Sequence, residues 1–151
     1  MKILVTGDRG YIGATLVPML RKKYEVIGYD SGYFSENLLE QFDEDYIKIT
    51  KDIRDISREY LEEVDGIIHL AGLSNDPLGE FSPKLTEEIN YSGTIRLAEM
   101  AKDIGVSRFV YASSQSMYGV SDTSNELDED DSEKNPVTAY AIAKWNAEQQ
   151  L

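Results

Sequence analysis

The sequence predicts an α/β protein built on a doubly wound parallel sheet, and three observations carry that reading. Short apolar segments alternate with helical stretches along the whole chain, the pattern of successive βαβ units. The first segment, Lys2-Ile3-Leu4-Val5-Thr6, runs directly into Gly7-Asp8-Arg9-Gly10-Tyr11-Ile12-Gly13 and then into the helical-looking Ala14-Thr15-Leu16-Val17. Strand, glycine turn and helix in that order is the context in which such a motif binds a diphosphate. Acids close the second and third segments, Asp30 and Asp52. The expected strand order is 3-2-1-4-5, that of a dinucleotide-binding sheet with helices on both faces.

In the first unit Gly7 allows a sharp turn, Gly10 lets backbone approach an anion, and Gly13 lets the helix sit close to the sheet. Amides at the helix start then face the diphosphate. An ordinary βα turn that happens to carry glycines is the competing reading. The helix should end near Arg21-Lys22-Lys23, where cations suit a C-terminus. Pro18 inside it should kink it or leave a carbonyl unpaired. Residues 24–29 read as the second strand, ending in Asp30, whose carboxylate stands where a dinucleotide fold binds the adenosine ribose hydroxyls. Residues 31 to 37 hold no Lys or Arg, so NAD is favoured over NADP, and Arg9 is the one cation that argues the other way.

Further along, residues 36–42 suggest a short helix, 45–49 a third strand leading to Asp52-Ile53, and 55–63 a charged surface helix. Val64 to Leu70 reads as a buried fourth strand opening into Ala71-Gly72, with His69 a core or strand-end histidine. Leu85, Ile89, Ile95, Leu97, Ala98 and Ala101 give one apolar face to a long helix from Pro83 to Lys102, capped by Gly105. Val106 to Ala112 is the fifth strand, followed by Ser113-Ser114-Gln115-Ser116. The run from Glu126 to Glu133 reads as a solvated acidic loop, and Pro136 marks the start of a last helix.

Composition narrows the function. One domain over residues 1–151, with 41% hydrophobic residues, is large enough for a proper core. No apolar run approaches a membrane span and no signal-peptide pattern opens the chain, so a cytoplasmic protein with no membrane partner is expected. Zero cysteines and a single histidine leave no metal site to expect. A formal charge of −13 argues against nucleic acid as a partner.

Tyr140 and Lys144 stand four residues apart on one helical face. A free tyrosine titrates near 10, too high for a base at neutral pH, and a neighbouring ammonium favours the phenolate. The pair therefore suits a base that takes the proton of an alcohol while its hydride leaves for a nicotinamide. Ser114, after the fifth strand, can hydrogen-bond the same oxygen.

As an ordered set these residues resemble the amino-terminal part of an extended short-chain dehydrogenase/reductase, in the branch of nucleotide-sugar epimerases and dehydratases. The matching positions are Thr6-Gly7, Gly10, Gly13, Asp30, Asp52-Ile53, His69-Leu70-Ala71-Gly72, Asn90 with Gly93-Thr94, Ser113-Ser114 before Tyr118-Gly119, and Tyr140 with Lys144. The resemblance implies a Rossmann-type sheet and NAD as cofactor. It makes Tyr140 the base, gives Lys144 the nicotinamide ribose as well, and has Ser114 orient the sugar hydroxyl. Asn90 would support the active-site helix and a water. Tyr11 and Ile12 would offer backbone to the diphosphate, Asp30 would bind ribose, Asp52 and Ile53 would contact adenine, and Leu70, Ala71 and Gly72 would line the cofactor. It also implies a nucleotide-sugar substrate and a homodimer through the helices at 83–104 and 136–151.

Two departures refine this expectation. Dehydratases of the family commonly carry Asp-Glu directly after the serine or threonine, where this chain has Gln115-Ser116, which favours epimerisation or simple oxidation and reduction. Family members also continue into two more strands and a smaller carboxyl-terminal substrate domain, absent here. The remaining alternatives are a non-catalytic NAD-binding domain or fragment, a dehydratase or reductase of the family, and a dinucleotide sensor that kept the fold.

Overall fold

A computed structural model describes residues 1–34, 45–120 and 126–151. Five strands form one parallel sheet: β1 (Lys2–Thr6), β2 (Glu25–Asp30), β3 (Ile47–Thr50), β4 (Gly66–His69) and β5 (Arg108–Tyr111). Their order is β3-β2-β1-β4-β5, as expected from the sequence. Registers pair Thr6 with Tyr29 and with His69, Asp30 with Thr50, and His69 with Tyr111, so all five carboxyl ends lie along one rim.

Side chains alternate across a strand, and β1 divides the core accordingly. Leu4 packs with Tyr29, Ile67, Ile89, Leu97 and Ala101 on one face, while Ile3 and Val5 pack with Val17 and Val26 on the other. Helix α1 (Tyr11–Leu20) covers the second face. It continues past Pro18, since the amide of Arg21 still reaches the carbonyl of Val17 at 3.0 Å. The first face is covered by a helix that starts as α3 (Pro83–Thr86), and whose α4 (Gly93–Ile104) ends at Gly105 in the left-handed conformation, φ +88°. A second short helix, α2 (Asp76–Phe81), lies between β4 and α3, and α5 (Ala139–Gln150) closes the described chain.

The sequence expectations are corrected in four places. The helix expected over 55–63 is two separate 3₁₀ turns, Ile53–Asp55 and Arg58–Tyr60. Ile56 and Leu61 are both fully buried, and five residues apart they do not share one helical face. The long helix is not α-helical throughout, because Glu87–Ser92 form a π-helical turn between α3 and α4. The last helix begins at Ala139 rather than Pro136, because Thr138 accepts from the amide of Ala141 as its cap. Helix α2 was not anticipated. The short helix expected at 36–42 falls outside the described residues. Residues 126 to 131 are exposed, as their acidity requires.

Candidate active site

The rim is assembled from the strand ends. Gly7 leaves β1 with φ +74°, a conformation open to glycine. A Cβ at Gly13 would stand 2.2 Å from the carbonyl oxygen of Gly7, so only glycine lets α1 start this close to the turn. No side chain caps α1 and no acid stands in its first turn. Tyr11 and Ile12 are exposed there, and the helix start is open to an anion. Gly10 donates its amide to the carbonyl of Gly7 at 3.1 Å, which closes the turn.

At the tip of β2, Asp30 accepts from the amides of Gly32 (2.7 Å) and Arg9 (3.2 Å), one on each carboxylate oxygen. These two hydrogen bonds fix the orientation of its carboxylate. Beyond β3, Asp52 caps the turn that begins at Ile53 and is gripped by Arg54, Nε at 3.0 Å and Nη2 at 2.8 Å. Those hydrogen bonds hold the Asp52 carboxyl below its usual range. Ile53 itself is buried in the core.

Beyond β4, the chain through Leu70, Ala71 and Gly72 is tied down from two sides. Ala71 donates its amide to Thr6 Oγ1 at 3.3 Å. Asn90, inside the π-helical turn and 1% exposed, accepts from the Leu73 amide at 2.8 Å and donates to the Leu73 carbonyl at 2.9 Å. His69 is fully buried between Thr6 Oγ1 (2.6 Å) and Thr94 Oγ1 (2.8 Å). Burial, with the Lys144 charge nearby, lowers its pKa to about 3, so it is a neutral core histidine.

Tyr140 and Lys144 sit on the buried side of α5, 9% and 6% exposed. Lys144 Nζ donates to the Ala112 carbonyl at 2.7 Å, at the end of β5. It lies 4.6 Å from the ring centre of Tyr111 and 5.9 Å from that of Tyr140. Burial lowers its pKa to about 8. Ser114, two residues beyond Ala112, caps the 3₁₀ turn Gln115–Tyr118 by accepting from the Ser116 amide at 3.2 Å. Lys144 thus ties α5, which also carries Tyr140, to the end of β5, and Ser114 follows that strand end two residues on.

Comparison with known proteins places this geometry. Residues 3–151 match the family model described as the NAD dependent epimerase/dehydratase family. The chain belongs to that family. Among curated relatives, the UDP-glucose 4-epimerase of Mycolicibacterium smegmatis is 34% identical over 154 residues, which cover 95% of this chain and 48% of the relative. Protein CapI of Staphylococcus aureus is 29% identical over 98% of this chain and 48% of its own length. Among solved structures, the UDP-N-acetylglucosamine 4-epimerase of Methanobrevibacter ruminantium, in complex with UDP-N-acetylmuramic acid, superposes with a TM-score of 0.87 at 25% identity, covering 98% of this chain and 48% of that one. The UDP-glucose 4-epimerase of Thermus thermophilus, solved with NAD, gives 0.84 at 27% identity, covering 99% and 49%. The chain spans about half the length of the curated relatives it matches. NAD, the cofactor expected from the sequence, is the cofactor of the family.

Sequence reasoning missed the residues that hold the start of α5. Glu80, at the end of α2, accepts from the amide of Ala139 at 2.6 Å, and Asp76 hydrogen-bonds Thr138, so α2 fastens the start of the helix that carries Tyr140. Asn75-Asp76-Pro77, a cap followed by proline, was the legible signal for α2. Among the described residues no group of three His, Cys, Asp or Glu could hold a metal ion, and no helix is long and apolar enough to cross a membrane.

Proposed function

We propose that residues 1–151 act as one NAD-binding domain of a nucleotide-sugar epimerase-like oxidoreductase, with Tyr140 as its base. The observation that carries this reading is the burial of Tyr140 and Lys144 on one face of α5, with the ammonium tied to the Ala112 carbonyl at the strand end. The match to a nucleotide-sugar family supports the substrate class. Gln115-Ser116, where family dehydratases carry Asp-Glu, favours epimerisation over water elimination.

Bound NAD would supply a reversible acceptor for a hydride from the sugar carbon. The tasks around that hydride fall to residues of this chain. The start of α1 holds the diphosphate, and Asp30 takes the adenosine ribose hydroxyls, with Asp52 and Ile53 at the adenine. Leu70, Ala71 and Gly72 line the cofactor, and Asn90 keeps that segment in place. Tyr140 removes the hydroxyl proton as the C–H bond yields its hydride, leaving a transient ketone. Lys144 supplies the positive charge beside the phenolate and reaches the nicotinamide ribose. Ser114 donates to the sugar oxygen. If the ketone turns over in the site, hydride return to its other face with the proton held on Tyr140 would give the epimer.

Exchange of labelled hydride with a nucleotide-sugar panel tests this. Tyr140→Phe should lower turnover roughly 10²–10⁴-fold in a chain that still binds NAD, since Tyr140 is one of several residues expected at the cofactor. Unchanged turnover would remove Tyr140 as the base. A second reading rests on the half-length match: the chain as given binds NAD without turnover. Bound cofactor with no hydride exchange in the wild-type chain would favour it.

A further inference from the structure

A charged cluster that the proposed chemistry does not use lies beneath the glycine turn. Asp8 is fully buried although it stands inside that turn. Its side chain points into the space left by Gly28, where a Cβ would stand 2.2 Å from Asp8 Oδ2. Tyr46 donates its hydroxyl to the same oxygen at 2.7 Å, and Arg9 Nε lies 3.9 Å from it. The Arg9 side chain is only 12% exposed. Its Nη2 donates to the carbonyls of Asp30 (2.7 Å) and Ile49 (3.3 Å), at the ends of β2 and β3. The one cation of the glycine turn is therefore folded under the strand tips, and no Lys or Arg occurs between residues 31 and 44.

This arrangement is not the one that stability alone would choose. Among the described residues, Asp8 Oδ1 and Arg9 Nε are both buried with no hydrogen-bond partner, whereas buried polar atoms are normally paired. Burial pushes the Asp8 carboxyl up, with the Tyr46 hydrogen bond opposing. A pair of charges kept inside at this disadvantage, next to the carboxylate that faces the ribose, has a use at that carboxylate. A 2′-phosphate is recognised by a guanidinium free to make two parallel hydrogen bonds, and rejected by a carboxylate with no cation beside it.

We propose that Asp8 and Arg9 set the choice of cofactor: Asp8 holds the guanidinium inside, so the ribose end presents the Asp30 carboxylate alone, accepting a 2′-hydroxyl and excluding a 2′-phosphate. This assigns discrimination to a buried pair behind the site, and to Arg9 the role of a cation withheld from the ligand. It depends only on dinucleotide binding and stands apart from the role of Tyr140.

Calorimetric titration of NAD and of NADP tests it with the wild-type chain, Asp8→Asn, Arg9→Ala and the double variant. The wild type should prefer NAD at least tenfold. Asp8→Asn should narrow that preference at least fivefold by strengthening NADP, and adding Arg9→Ala should abolish the gain. Arg9→Ala alone should leave NADP binding within twofold of wild type. A tenfold loss of NADP affinity in Arg9→Ala with NAD unchanged would make Arg9 a phosphate ligand and overturn the proposal. An unchanged ratio in folded Asp8→Asn, or a wild type that binds neither dinucleotide, would overturn it too. Thermal melting shows whether Asp8→Asn folds, and if it does not, Arg9→Ala alone decides.

Discussion

Lys144 carries its charge in a setting that disfavours charge. Only 6% of it is exposed, one carbonyl accepts from its ammonium, and two aromatic rings face it. Burial brings its pKa from 10.5 to about 8. Between those values the unfolded chain binds more protons than the folded one, so stability rises with pH across that window. Urea unfolding at pH 7.5 and 9.5 should show the rise, with a slope of at most about 1.4 kcal/mol per pH unit. Lys144→Met should flatten it. The buried phenols of Tyr29, pushed up to about 12, and of Tyr46 and Tyr111, also pushed up, act in the opposite sense as pH approaches the free-tyrosine value near 10, so they trim the rise at its upper end.

At the scale of elements, α2 and α5 depend on one another. The exposed carboxylate of Glu80 bonds an amide at the start of α5, and Thr138 caps the same helix. Glu80→Ala and Thr138→Ala should each cost about 0.5–2 kcal/mol, read as a fall in Tm of about 2–4 °C per kcal/mol in a chain of this size. The five strands, their order, the glycine turn and Gly105 as a cap were legible, because short apolar runs and left-handed positions leave marks in the residues themselves. The direction of Asp8 was not legible, since it depends on a vacancy at Gly28 and a hydroxyl from Tyr46, both distant in sequence. Nor was the π-helical turn, because the wide turn keeps Ile89 and Leu97 on the core face and leaves the apolar pattern intact. The 3₁₀ turns at 53–60 were hidden by a charged composition that suits a surface helix equally well.

On the scale of the whole molecule, parallel pairing brings the ends of β1 to β5 to one rim, so residues far apart in sequence meet there. The helices on either side remain partly uncovered: Ile142 is 43% exposed and Ile95 is half-buried. Family resemblance leads us to expect a homodimer through the helices that end at Ile104 and Gln150. Sedimentation should give twice the mass of 17.0 kDa, and a monomer at high concentration would remove that expectation.

The carboxamide of Asn90 has a further consequence. Leu73 finds partners for both its amide and its carbonyl on that one side chain, 17 residues later in the chain. The amide of Leu73 therefore belongs, in its protection against deuterium, to the helix and not to the loop in which it stands. Native-state hydrogen exchange should show Leu73 opening together with the amides of Leu97 and Ala101, and far more slowly than those of Ser74 and Asn75 beside it.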